Sequence, residues 1–120
     1  MTRVLVVDDA SFMRGSLKYI IETYGYTVVG EGKNGDEAIA LYKKLKPDVV
    51  TLDILMDGMD GITALTNIKK LDPAAKVIMI TALGQEEKQK EARARGASGY
   101  IRKPFKQDEI VSELKRVVGS

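Results

Sequence analysis

The chain has 120 residues, 44% of them apolar and 30% charged, which suits one globular domain around a single core. Its 19 lysines and arginines nearly balance 17 aspartates and glutamates, leaving a net charge of +2, so charge gives no reason to expect nucleic acid as a partner. Cysteine and histidine are both absent, which excludes disulfides, thiolate chemistry and imidazole ligands; a metal here has to sit on oxygen, as Mg²⁺ or Mn²⁺ would. No apolar run approaches the roughly 18 residues of a membrane span and no N-terminal signal pattern is present, so a cytoplasmic chain without a membrane partner is expected.

The first apolar run, "VLVV" at 4–7, ends against two adjacent carboxylates, Asp8 and Asp9. Such a pair repels unless a cation compensates it, although an acid at this place can also simply cap the following helix. In that helix Met13, Leu17, Ile20, Ile21 and Tyr24 form one apolar stripe, closed by Gly25. "TVVG" at 27–30 is the second run, and Ala38, Leu41, Tyr42 and Leu45 mark a second helix before Pro47. "DVVTLD" at 48–53 precedes a helix carrying Ile62, Leu65, Ile68 and Leu71, which Asp72 and Pro73 end. "KVIMIT" at 76–81 precedes a fourth helix over 84–95 whose only apolar residues are Ala92 and Ala94, too few for a buried stripe. "GYIRK" at 99–103 leads to a last helix with Ile110, Leu114, Val117 and Val118.

Continuous Val- and Ile-rich runs alternating with amphipathic helices predict an α/β domain: a parallel sheet of five strands covered on both faces. In such sheets ligands bind beyond the carboxyl ends of the strands. The first run ends in Asp8 and Asp9, the third in Asp53, the fourth in Thr81 and the fifth in Lys103. If the second strand lies at the sheet edge, three carboxylates, a hydroxyl and an ammonium converge in one crevice. Three carboxylates call for a hard cation, and a strand-end carboxylate can be a nucleophile for a phosphoryl group, with Asp53 best placed between the acid pair and the Thr and Lys ends. Taken singly, each residue also has a plain structural reading, as a cap, a turn acid, a strand residue or a solvated charge.

"VDDASFMR", "LDILMDGMDG", "ITA" and "RKPF", in this order and spacing, resemble the receiver domain of two-component response regulators, over essentially the whole chain and most of all in its stand-alone, CheY-like chemotaxis form. The resemblance implies a single receiver domain over 1–120 with a doubly wound (βα)5 flavodoxin-like fold and strand order 2-1-3-4-5. It implies that Asp53 is the phosphoacceptor and that Asp8, Asp9, Asp53 and the backbone carbonyl of Leu55 hold Mg²⁺, with Mn²⁺ as a substitute. Lys103 then contacts the phosphoryl group, Thr81 is the switch hydroxyl, Tyr100 the aromatic that follows it, and Pro104 lies after a cis peptide bond. The partners implied are a sensor histidine kinase (CheA-like), a downstream target such as a flagellar motor switch component, and a phosphatase, acting on a monomer that turns over no external substrate. One position departs from the family pattern: Asp57 stands where a proline is usual, which loosens the loop and brings another carboxylate near the metal ligands.

Other readings are a phosphorelay intermediate, a degenerate receiver serving only as an interaction domain, a haloacid-dehalogenase-type phosphatase and a nucleotide- or flavin-binding module. The phosphatase needs an acid two residues beyond its nucleophile, where this chain has Leu55. The nucleotide module needs a loop free of acids after the first strand, where "DDASFM" stands.

Overall fold

The computed structural model describes residues 2–119. Five parallel strands, β1 (Arg3–Val7), β2 (Thr27–Gly32), β3 (Val49–Leu52), β4 (Val77–Thr81) and β5 (Gly99–Arg102), lie in the order β2-β1-β3-β4-β5. Five helices alternate with them: α1 (Ser11–Thr23), α2 (Gly35–Leu45), α3 (Gly61–Leu71), α4 (Glu86–Ala94) and α5 (Gln107–Val118). The flavodoxin-like order expected from the sequence is the one observed. β2 occupies an edge, so its end stands apart from the ends of β3, β4 and β5.

Each face of the sheet has its own core. Leu17, Ile20 and Ile21 of α1 and Ile110, Val111 and Leu114 of α5 cover Val4, Val6, Val49, Ile78, Ile80 and Ile101 on one face. On the other, Ala38 and Tyr42 of α2 and Ile62, Leu65 and Ile68 of α3 cover Leu5, Val7, Val50, Leu52 and Met79. Burial on both faces explains why the strands read as continuous apolar runs. Two residues expected in helical stripes are instead about half exposed, Tyr24 and Leu71. Both stand at the C-terminal end of their helix, where the chain turns back: α1 stops at Thr23 before Gly25 at φ +92°, and α3 stops before an extended Asp72.

The helices start unequally. The Asn34 side chain accepts from Glu37 N at 2.8 Å to cap α2, and Asp60 caps α3 by accepting from Thr63 N at 2.8 Å. α4 has no side-chain cap and buries only Ala92. Its ion pairs, Lys88–Glu91, Lys90–Glu86 and Arg95–Glu91, lie within the helix or its final turn and are solvent-exposed, so they hold it to nothing else. The hydrogen bond from Arg95 Nη1 to Thr66 Oγ1, 3.1 Å, ties the end of α4 to α3.

Thr51, between Val6 of β1 and Ile78 of β4, is 1% exposed, and its hydroxyl has no hydrogen-bond partner among the described residues. An unpaired buried hydroxyl opposes folding, so Thr51→Val, which keeps the shape, is expected to stabilise the chain by about 1 kcal/mol. A rise in the urea unfolding midpoint checks this, and a fall shows that the hydroxyl is satisfied.

Candidate functional site

Backbone hydrogen bonds continue each strand pairing one step past its end. Asp8 N donates to Gly32 O at 3.0 Å, Asp53 N to Val7 O at 3.2 Å and Lys103 N to Thr81 O at 2.8 Å. The strand register therefore delivers Asp8, Asp53, Thr81 and Lys103 to one rim of the sheet. Asp8 and Asp53 are almost fully buried, whereas Asp9 is exposed. One carboxylate oxygen from each of the three lies within 4.8 Å of the others.

The Lys103 ammonium stands between the two buried acids, 2.6 Å from Asp8 Oδ2 and 2.9 Å from Asp53 Oδ2. Burial by itself would lower the lysine's pKa, but the hydrogen bonds and charges of Asp8 and Asp53 outweigh it and raise the value above 10.5. The remaining carboxylate oxygens are turned to main-chain donors: Asp8 Oδ1 accepts from Ala10 N at 2.9 Å and Asp53 Oδ1 from Leu55 N at 3.2 Å. The N-cap of α1 is Ala10, with no side-chain cap bond, so neither Asp8 nor Asp9 is spent on capping.

Thr81 is completely buried, and its Oγ1 accepts from Leu83 N at 3.3 Å. That hydroxyl donates to no acceptor among the described residues, leaving its proton free for another oxygen. The Tyr100 hydroxyl donates to Leu83 O. One residue thus joins the two side chains, its N–H on Thr81 and its carbonyl on Tyr100. Burial, with the Asp53 charge behind it, raises the Tyr100 pKa against the opposing pull of Arg102, so the phenol stays a donor. The Lys103–Pro104 peptide bond is cis.

Two residues that sequence reasoning left out belong to this site. Arg14 Nη1 donates to the Asp8 carbonyl at 2.6 Å, with its Nε 3.4 Å from Glu31 Oε1. Gly61, the first residue of α3, lies so close to this rim that a Cβ there would be 2.0 Å from Asp53 O. Its sequence signal was the helix start after Asp60; the close approach is visible only in three dimensions. Asp57, by contrast, is exposed and stays outside the carboxylate cluster. The Leu55 side chain is 53% exposed while its N–H holds Asp53.

A cleft at the opposite end of the sheet, lined by Tyr42, Asp48, Asp72 and Lys76, offers fewer free groups. There Asp48 already accepts from Arg3 N at 2.7 Å and Asp72 from the Tyr42 hydroxyl at 2.8 Å.

The acidic rim fits a hard divalent cation on its own chemistry. Three carboxylates against one ammonium leave a formal excess of two negative charges, the donors are all oxygen, and Asp9 leaves the cluster open to solvent. Such a rim can hold a metal and receive a phosphoryl group.

Comparison with known proteins agrees with this geometry. The sequence profile of the response regulator receiver domain matches residues 4–115. The chemotaxis protein CheY of Thermotoga maritima is 51% identical over 115 residues, 96% of each chain. CheY of Listeria monocytogenes is 46% identical over 116 residues, 97% of this chain and 98% of the other. Among solved structures, the CheX-CheY-BeF3-Mg complex from Borrelia burgdorferi superposes with a TM-score of 0.95 at 39% identity, covering 97% of this chain and 88% of that one.

Removing the shared cation leaves two buried carboxylates unpaired, so Lys103→Met is expected to destabilise the chain by about 3 kcal/mol. The folded chain holds the lysine proton more tightly than the unfolded chain, so this contribution is complete below pH 10.5 and disappears as pH rises through the higher folded value. Urea unfolding of both proteins from neutral pH upward checks both points: the gap between them narrows only at the alkaline end. At Gly61, alanine's helix preference of about 1 kcal/mol is outweighed by the clash with Asp53 O, and Gly61→Ala is expected to lose about 1–3 kcal/mol in the same measurement.

Proposed function

The chain belongs to the response regulator receiver domain family and is a phosphorylation-activated regulator of a two-component chemotaxis system, and we propose that Asp53 is the residue that takes the phosphoryl group. The observation that carries this assignment is the Lys103 ammonium bridging Asp8 Oδ2 and Asp53 Oδ2 at 2.6 and 2.9 Å beside a third carboxylate.

Asp8, Asp9, Asp53 and the Leu55 carbonyl are the groups that would hold Mg²⁺, or Mn²⁺ in its place. When bound, the ion supplies positive charge against the phosphoryl oxygens and the carboxylates. The chain's own residues do the rest. Asp53 is held by Leu55 N and by Lys103, so one of its oxygens is presented in a fixed direction. The phosphoryl donor is a sensor histidine kinase or a small acyl phosphate, since no histidine exists in this chain. Lys103 remains as the cation on the other side of the incoming group, and positioning with charge stabilisation is most of what phosphoryl transfer requires.

The output follows from Leu83. A phosphoryl oxygen on Asp53 gives the free Thr81 proton an acceptor. Movement of Thr81 towards it weakens the bond from Leu83 N, and the Leu83 carbonyl that holds Tyr100 shifts with its backbone. α4 begins at Glu86, just beyond Leu83, Gly84 and Gln85, and buries only Ala92, so its displacement costs little. A local charge thereby biases a two-state element. The reading makes the chain a switch, with no external substrate turned over.

Its partners are then a histidine kinase, a downstream target such as a flagellar motor switch component, and a phosphatase. The Borrelia relative captured with CheX, BeF3 and Mg²⁺ supports a protein partner and a phosphoryl-like group on such a domain. No helix among the described residues is long and apolar enough to cross a membrane; the proposal places the chain in the cytoplasm as a monomer.

The test is intact mass after incubation with acetyl phosphate, with and without Mg²⁺, for the wild type and Asp53→Asn. The expected result is one phosphoryl mass gained by the wild type only, and only with Mg²⁺. Equal uptake by Asp53→Asn, or a folded wild type that neither gains mass nor responds to beryllofluoride, overturns the assignment.

A further inference from the structure

Three places in the chain put an aspartate or asparagine directly before glycine: Asn34–Gly35, Asp57–Gly58 and Asp60–Gly61. Such pairs share one chemistry. The glycine nitrogen attacks the side-chain carbonyl carbon of the preceding residue. For aspartate the new N–C bond replaces the carboxyl C–OH bond, one water leaves, and a five-membered succinimide closes. Water then adds to the main-chain carbonyl, the original peptide C–N bond breaks, and the chain continues through the side chain as isoaspartate with its α-carboxylate free. No oxidant or reductant is needed and the formula is unchanged. Glycine favours the attack because no Cβ shields its nitrogen. The requirements are structural: a free side chain, a glycine N–H not held in a hydrogen bond, and backbone free to rotate.

The fold blocks two of the three places. Asn34 Oδ1 accepts from Glu37 N at 2.8 Å, and Gly35 is buried in the first turn of α2 against Met59. Asp60 Oδ1 accepts from Thr63 N at 2.8 Å, and Gly61 N donates to Ile54 O at 2.9 Å under Asp53. At the third, Asp57 and Gly58 are both exposed, and neither the Asp57 carboxylate nor the Gly58 N–H has a partner among the described residues. Gly58 sits at φ +76°, and apart from its chain neighbours no atom lies within 4 Å of where a Cβ would be.

We infer that Asp57 is a site of spontaneous isoaspartate formation, the one the native fold leaves open. The product inserts one extra methylene in the main chain between two anchored points, Asp53 N on Val7 O and Gly61 N on Ile54 O. The slack falls on 55–60, the loop that carries the Leu55 donor to Asp53 and the Met59 contact with Gly35. The chemistry of the product also defines a partner class: an enzyme that methylates the exposed α-carboxylate of isoaspartate.

The test keeps the full chain for days at neutral pH and body temperature, in native buffer and in denaturing guanidinium. Isoaspartate is then located by electron-transfer fragmentation of the peptides. The expected native result is isoaspartate at Asp57 several-fold above that at Asp60 or Asn34. In denaturant the two aspartates become equal and Asn34 overtakes both. Equal native rates at Asp57 and Asp60, or a ratio between them that denaturant does not change, overturns the inference, because protection by the fold would then not be what selects Asp57.

Discussion

A single ammonium shared by two buried carboxylates is the constraint around which this domain is arranged. Taking Asp8 and Asp53 out of water is expensive, and Lys103 offsets that only because it meets both at hydrogen-bond distance. The three groups are 50 and 95 residues apart in sequence, so the sheet must bring β1, β3 and β5 into register for the pair of bonds to form. Parallel pairing does this with backbone bonds alone, from Asp53 N to Val7 O and from Lys103 N to Thr81 O. Asp9 adds a charge that no lysine answers, and that unanswered excess makes the rim fit a divalent ion as well as being a stabilised charge cluster.

Rigidity and looseness are distributed accordingly. Behind the rim, β3 and β4 are buried along their whole length and α3 presses Gly61 onto the Asp53 carbonyl. In front of it, the segment from Leu83 through α4 is held by few apolar contacts and by Leu83's two bonds, one to Thr81 and one to Tyr100. A group with a stiff floor and a loose neighbour converts a small change of charge into movement on one side only. Burying more of α4 would stabilise the domain and blunt that response.

The loop over 54–60 sits between these regimes. Its ends are locked to β1 and to the start of α3, while Asp57 and Gly58 in its middle are exposed, and neither the Asp57 carboxylate nor the Gly58 N–H has a hydrogen-bond partner among the described residues. An aspartate where the family pattern has proline leaves the cluster of carboxylates as it was but gives the backbone more freedom, since proline would have limited φ there.

Much of this was legible in the chain of residues. Continuous Val and Ile runs determined a parallel sheet, because strands covered on both faces have no polar side to show, and the residue type at each strand end determined the chemistry of the rim: Asp8, Asp9, Asp53, Thr81 and Lys103. Helical periodicity marked the stripes but placed Tyr24 and Leu71 inside them, since a repeat of apolar residues does not show where the chain turns away. Only the tertiary structure decided that Lys103 divides itself between Asp8 and Asp53, that Arg14 reaches the Asp8 carbonyl, that Gly61 has no room for a Cβ, and that Leu83 ties Thr81 to Tyr100. These are contacts whose distances are set by how strands and helices far apart in sequence pack. Local pattern records what each residue can do; packing decides which partner it meets.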